Sequence, residues 1–367
     1  MTIKKFQPLK VSSKFPICAL PLRLDSYNTC TYNCKYCYSN NRLIGERDTE
    51  SIPNYMWLKN KFSKVYDLGD ANRKNFLECL LKDRITLHGG SHCDLFQPLE
   101  KKHEHTKRIV ELCNEYSQKI LFSTKTDNLY DVPLNPALHS FQLSFSSTDD
   151  KLGLEENVPS FEKRHELYKE LLDKGFRVGI RIQPYIPNVT QLEEIVDTFE
   201  DAVHFTVEHI KFVPGNPIND ELIKVMGLEN EHFTNLGLLI SDAFTRYNHY
   251  MDSVVPVFED KGLSYSIADN DLHYLGNNDC CCGDGLVSEV THFNNTELLH
   301  RFGLDYDLDT VFELGEEYLD CRCSSLFNSD RRNGCVSFSD FYEDRFDRSS
   351  SVFSPKFQYR HVQSRLL

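Results

Sequence analysis

Three cysteines within eight residues, Cys30, Cys34 and Cys37 in the run CTYNCKYC, constrain this chain more than any other feature. A short irregular loop bends three thiolates around one centre only when the sulfurs are a few residues apart. The loop follows a strand-like stretch at residues 17–25 and contains no fourth Cys or His. A structural zinc site would want that fourth ligand. Three thiolates instead suit a [4Fe–4S] cluster with one iron left open, and an open coordination position is where a substrate or cofactor binds. The whole chain has 13 cysteines in 367 residues. An odd count cannot pair completely. The N-terminus lacks the apolar core of a signal peptide, so the chain is expected in the cytoplasm, where disulfides are disfavoured and clustered thiols read first as metal ligands. No run of apolar residues is long enough for a spanning helix, so no membrane partner is expected.

Strand-like and helix-like stretches alternate through the first half of the chain, the signature of a parallel α/β sheet. The strand candidates are residues 17–25, 84–88, 120–126, 140–146, 176–183 and 208–213. Ile109, Val110, Leu112, Cys113 and Tyr116 form one helical face, and Phe161, Leu167, Tyr168, Leu171 and Leu172 another. Thr190 followed by Glu193 forms a capping box that predicts a helix over residues 191–201. Six strands with intervening helices predict a partial (β/α)6, TIM-like barrel with its site at the carboxyl ends of the strands. A soft boundary is expected near residue 214, dividing a barrel (1–214) from a helical and Cys-rich C-terminal region (215–367). In that region Phe233, Leu236, Ile240, Phe244 and Tyr247 predict an amphipathic helix, and residues 263–268 one more strand-like run.

Other motifs recur in order along the barrel. Gly89 and Gly90 close the second strand in HGGS, DLFQPLEK begins at Asp94, STKT at Ser123, and RIQPYIP at Arg181. Together with CTYNCKYC, in which Tyr36 precedes the last cysteine, these resemble the spore photoproduct lyase-like branch of the radical S-adenosylmethionine (radical SAM) superfamily over about residues 17–214. Leu95 stands where that branch usually has Pro. The resemblance implies a radical SAM barrel whose open iron chelates S-adenosylmethionine (SAM). One electron then cleaves SAM to methionine and a 5′-deoxyadenosyl radical that abstracts hydrogen from a substrate. It implies cofactor contacts from Tyr36, the Gly89-Gly90-Ser91 segment or Asp94 for the amine, Lys125 for the carboxylate, and Ser144 or Ser146 for the ribose. Arg181, on a strand otherwise apolar, carries a guanidinium fork that suits a carboxylate of SAM or substrate. Cys93, beside His92 and Asp94, reads either as a small buried apolar residue or as the thiol that returns a hydrogen atom to a product radical. An external electron donor such as flavodoxin or ferredoxin is implied as a partner.

Six further thiols, Cys280, Cys281, Cys282, Cys321, Cys323 and Cys335, crowd into the C-terminal region. Consecutive side chains diverge, so one or two of the triplet, Cys280 and Cys282, are expected to join Cys321, Cys323 and Cys335. The centre would be an auxiliary [4Fe–4S] cluster or zinc, the alternative being unligated thiols. Spore photoproduct lyase has no such extension, which separates this chain from that enzyme's substrate. The balance of 41 Lys and Arg against 55 Asp and Glu, net −14, disfavours an extended DNA duplex as partner. The expected function is hydrogen abstraction from a nucleobase or nucleotide, a peptide or a small metabolite, with the lyase, transferase or isomerase class open. The competing expectation is a non-catalytic iron–sulfur or zinc protein with structural or electron-transfer centres.

Overall fold

The computed structural model describes residues 4–11, 20–39, 51–70, 76–82, 84–229, 233–235, 238–269, 272, 275–278 and 281–283. Its strands are β1 (Lys5–Phe6), β2 (Leu9–Val11), β3 (Leu22–Leu24), β4 (Ile52–Pro53), β5 (Leu87–Gly89), β6 (Ile120–Thr124), β7 (His139–Phe145), β8 (Arg177–Tyr185), β9 (Phe205–His209), β10 (Phe233–Asn235), β11 (Leu239–Ser241) and β12 (Tyr265–Ile267). Eight of them form one sheet in the order β12-β9-β8-β7-β6-β5-β3-β2. Every pairing in that sheet is parallel except β2 with β3. Sequential parallel neighbours require crossover connections, and helices such as His105–Glu115 and Phe161–Asp173 supply them.

Alternation along each strand divides the sheet into two faces. On one face Phe141, Leu143 and Phe145 of β7 and Phe205 and Val207 of β9 are fully buried. Phe145 meets Phe161 and Phe199, and Phe205 meets Phe258, so this is the side the helices cover. The intervening residues, Gln142, Ser144, Arg181, Thr206 and Glu208, therefore point to the opposite, inner face. That polar interior is where chemistry can be housed. No helix among the described residues is long and apolar enough to cross a membrane.

Several local expectations need correction. The sixth strand lies at Phe205–His209, earlier than residues 208–213, because Phe205 and Val207 supply the helix-facing alternation. Ile210 and Phe212 instead join a second apolar cluster with Leu154, Ile186, Leu222, Met226 and Leu228. The helix predicted through Phe233 and Ile240 is a hairpin: β10 and β11 pair antiparallel, Thr234 opposite Ile240. The helix begins only at Ala243, where the Asp242 carboxylate accepts from the Phe244 N–H at 2.8 Å. Leu236 lies outside the described residues. Thr190 caps nothing: its hydroxyl accepts from Ile186 N at 2.9 Å and donates to the Ser146 carbonyl at 2.7 Å, while the helix spans Leu192–Thr198. The strand expected at 263–268 is β12, which extends the main sheet beyond residue 214.

Candidate functional site at the strand ends

The cysteine loop leaves β3 and is tied to three neighbouring segments. Gln97 grips it from both sides, accepting from Thr31 N and donating to the Thr29 carbonyl, each at 2.8 Å. Tyr38 donates to the Ser91 carbonyl at 2.9 Å and Ser39 to the His92 carbonyl at 3.0 Å. Lys35 N donates to the Leu154 carbonyl at 2.9 Å. Asn33 turns the chain at φ 48°, a left-handed conformation that Asn tolerates well, and Cys37 N closes back on the Cys34 carbonyl at 3.0 Å. The loop thus sits over the ends of β5, β6 and β7.

Desolvation raises the Cys30 thiol to about 12, with Asp94 adding to the effect, and raises Cys34 further. Cys34 also feels Cys37 and Cys30, and Cys30 feels Cys37. Three thiols in mutual electrostatic contact, Cys30 and Cys34 of them short of water, are a donor set that a bound metal cluster stabilises as thiolates. By donor chemistry the loop fits an iron–sulfur cluster. Among the described residues no three His, Cys, Asp or Glu side chains converge as ligands to a single ion.

The glycine pair has a packing reason of its own. Gly90 has φ 98°, and a Cβ there would fall 2.2 Å from the Ser123 carbonyl oxygen of β6; one on Gly89 would fall 2.9 Å from the Phe122 ring. Only glycine lets β5 end against β6 in this way. Asp94 is buried and committed to the neighbouring strand end, accepting from Phe96 N at 2.9 Å, Thr124 Oγ1 at 2.8 Å and Lys125 N at 2.7 Å. Burial raises its pKa against those bonds.

Glu155, which no sequence signal singled out, organises the other candidates. Its buried carboxylate accepts from Tyr36 OH, from Lys125 Nζ at 2.6 Å and from Ser146 Oγ at 2.8 Å, and lies 3.3 Å from Arg164 Nη2. Burial alone would raise its pKa; Lys125 and Arg164 outweigh it and hold the group down to about 2. Arg164 also donates to the Ser144 carbonyl at 2.6 Å, and Ser144 Oγ donates to the Gln183 carbonyl at 3.3 Å. Tyr36, Lys125 and Ser146, far apart in sequence, meet around one carboxylate, and Ser144 is joined to it through Arg164. Its one trace in the sequence is an acidic pair, Glu155-Glu156, in the loop before the helix that carries Arg164.

Cys93 is buried, and its Sγ lies 3.6 Å from Asp25 Oδ1, which also accepts from His92 N at 2.8 Å. Burial and the Asp25 carboxylate push this thiol up, keeping the S–H intact. Arg181 lies deeper in the interior, with Gln142, Gln183 and Glu208 around it. The Cys281 carbonyl enters the same interior and accepts from Gln142 Nε2 at 3.0 Å and Thr206 Oγ1 at 2.6 Å. Cys282 is buried with its Sγ 4.0 Å from that of Cys281. Cys280, Cys321, Cys323 and Cys335 lie outside the described residues.

No family model matches the chain. An uncharacterized protein of Methanocaldococcus jannaschii is 22% identical over 217 residues, 55% of this chain and 76% of that one. Among solved structures, a Tyr-to-Phe variant of spore photoproduct lyase superposes with a TM-score of 0.50 at 13% identity, covering 72% of this chain and 80% of its own. The fold is that of spore photoproduct lyase. A second variant of that lyase, with bound AdoMet (SAM) and dinucleoside spore photoproduct, superposes with a TM-score of 0.48 at 14% identity over 70% of this chain and 78% of its own. The spore photoproduct lyase fold is the partial barrel of the radical SAM type, which agrees with the architecture read from the alternating strands and helices.

Proposed function

We propose that this chain is a radical SAM enzyme, with Cys30, Cys34 and Cys37 holding a [4Fe–4S] cluster whose open iron binds SAM. The observation that carries this is a three-thiol loop, without a fourth ligand of its own, clamped over the carboxyl ends of a parallel partial barrel. When bound, the reduced cluster supplies the electron that cleaves SAM to a hydrogen-abstracting 5′-deoxyadenosyl radical. The protein's part is to bind, orient and exclude water. Lys125 Nζ, held on Glu155 beside Tyr36 OH and Ser146 Oγ, would take the SAM carboxylate. Ser144 or Ser146 would bind the ribose, and Gly89, Gly90 and Ser91 would offer backbone to the amine. Asp94 keeps Thr124 and Lys125 in place. Cys93 is assigned the return of a hydrogen atom to the product radical, a role that requires an S–H and is supported by the environment that keeps it one. A flavodoxin- or ferredoxin-type donor would supply the electron. Cys282, with Cys280, Cys321, Cys323 and Cys335, is assigned to an auxiliary cluster.

The test is anaerobic reconstitution with iron and sulfide, then dithionite and SAM. Formation of 5′-deoxyadenosine is expected, and about eight iron atoms per chain that fall to about four when Cys280, Cys281 and Cys282 are all replaced by Ala. A chain that binds zinc and leaves SAM intact is not this enzyme.

A further inference from the structure

A buried histidine on the inner face of the sheet has one ring nitrogen that the rest of the protein leaves unanswered. His88 belongs to β5, in register with Leu121 of β6 and one residue before Gly89 and Gly90. Its Nε2 lies 2.8 Å from Ser123 Oγ, which stands 3.3 Å from Gln142 Oε1 of the inner face. His88 is 7% exposed, and its Nδ1 is buried with no hydrogen-bond partner among the described residues. Ser140 Oγ and His204 Nε2 are also unpartnered, but they stand at the amino ends of β7 and β9. His88 instead stands near the carboxyl end of its strand, beside the segment assigned to the cofactor.

The network on the other side of the ring decides what Nδ1 presents. The Cys281 carbonyl can only accept, so the Gln142 amide turns its Nε2 toward that carbonyl, 3.0 Å away, and its Oε1 toward Ser123. An amide oxygen also only accepts, so the Ser123 hydroxyl spends its single proton on Gln142. Toward His88 that hydroxyl can then only accept, and Nε2 carries the ring proton. A neutral imidazole has one such proton, which leaves Nδ1 as a bare lone pair out of bulk water. A buried acceptor without a donor is unfavourable, and a bound group that supplies the donor removes the penalty.

We infer that His88 Nδ1 accepts a hydrogen bond from an N–H or O–H group of a molecule bound in the barrel, either the amino group of SAM or a donor on the substrate. Gly89 and Gly90, the next two residues, are assigned to the cofactor's amine, and Lys125, two residues beyond Ser123, to its carboxylate. His88 and Ser123 thus precede the cofactor segments by a residue or two on adjacent, parallel strands. A lone pair at that place selects: it rewards a ligand that brings a proton donor and penalises one that brings only an oxygen lone pair. To name SAM or the substrate as the owner of the donor rests on the radical SAM proposal; the acceptor itself rests on the hydrogen-bond network.

The experiment has two parts, both on the full chain. Nitrogen-15 resonances of the histidine rings, with His88 assigned through His88→Asn, are expected to show Nε2 protonated and Nδ1 bare. Thermal melting of the reconstituted chain is then followed with SAM, with the SAM analogue that lacks the α-amino group, and with thymidine or glycinamide added to the SAM-bound protein. His88→Gln keeps an amide at the Nε2 position for Ser123 and removes the Nδ1 acceptor, whereas His88→Asn puts an amide oxygen where Nδ1 stood. If the amino group of SAM is the donor, the parent binds SAM about tenfold or more tightly than the analogue, His88→Gln abolishes that difference, and His88→Asn recovers part of it. If the substrate brings the donor, His88→Gln binds SAM as the parent does and loses the parent's rise with thymidine or glycinamide. The inference is overturned if Nδ1 carries the proton, or if His88→Gln matches the parent with every probe, which leaves an internal water as the partner. A parent that does not respond to SAM removes the radical SAM reading, and thymidine and glycinamide by themselves then decide the inference.

Discussion

At the scale of single residues, Glu155 decides the arrangement of the site. It is a carboxylate taken out of water and held ionised by two cations and two hydroxyls. Its folded pKa of about 2 lies below the ordinary Glu value of 4.5. The stabilisation is therefore complete above pH 4.5 and is lost as the pH falls from 4.5 through 2, to an extent on the order of 3 kcal/mol. Glu155→Gln is expected to lose about 3–5 kcal/mol at pH 7, because Lys125 and Arg164 are left without their anion. The same variant should flatten the acid limb of stability against pH. Urea denaturation at pH 7, 4 and 3 measures both, and a variant whose midpoint follows the parent across that range would contradict the account.

At the scale of elements, the cysteine loop is an irregular segment that neither helix nor sheet supports. Its order comes from groups on other segments: the Gln97 side chain after β5, and the backbone carbonyls of Ser91 and His92 that accept from Tyr38 and Ser39. Gln97 is fully buried with both ends of its amide bonded to the loop, so it has no second role to mask its loss. Gln97→Ala should lower the iron retained after reconstitution by more than half while far-ultraviolet circular dichroism stays that of the parent. Full iron in a folded Gln97→Ala chain would show that the loop is ordered by other means. The corrected hairpin at β10 and β11 belongs to the same scale. Phe233 and Ile240 satisfy a helical period and a two-stranded pairing equally well, and only the partner strand chose between them.

At the scale of the whole molecule, the sheet buries three imidazoles as neutral bases. His139 Nδ1 accepts from Asn135 N at 2.9 Å, His204 Nδ1 meets Ser264 Oγ at 2.9 Å, and His209 Nε2 meets His249 Nδ1 at 3.0 Å. Burial lowers their pKa values to about 4, 3 and 3 from 6.5. The unfolded chain then takes up protons first as the pH falls, so stability is fully present above pH 6.5 and declines below it. The decline approaches about 1.4 kcal/mol per pH unit for each histidine. The urea midpoint should therefore drop steadily between pH 6.5 and 4, and less steeply in His204→Gln. A midpoint that stays level between pH 7 and 5 would refute the neutral-imidazole account.

Much of this protein was legible in its sequence, for reasons of locality. Cysteine spacing within one loop and strand-to-helix alternation operate over a few residues, so the three-cysteine loop and the parallel barrel could be read directly, while Lys125 and Ser146 were singled out only through the resemblance carried by the ordered motifs. What local pattern could not reveal is who meets whom. Glu155 reaches Lys125 just after β6 and Arg164 on a helix, and Gln97 reaches a loop some 66 residues away. Arg181 reads as a carboxylate ligand in the sequence, and only the tertiary structure sets it beside Glu208, Gln142 and Gln183. A charge's meaning depends on its burial and its neighbours, and both are properties of the folded chain.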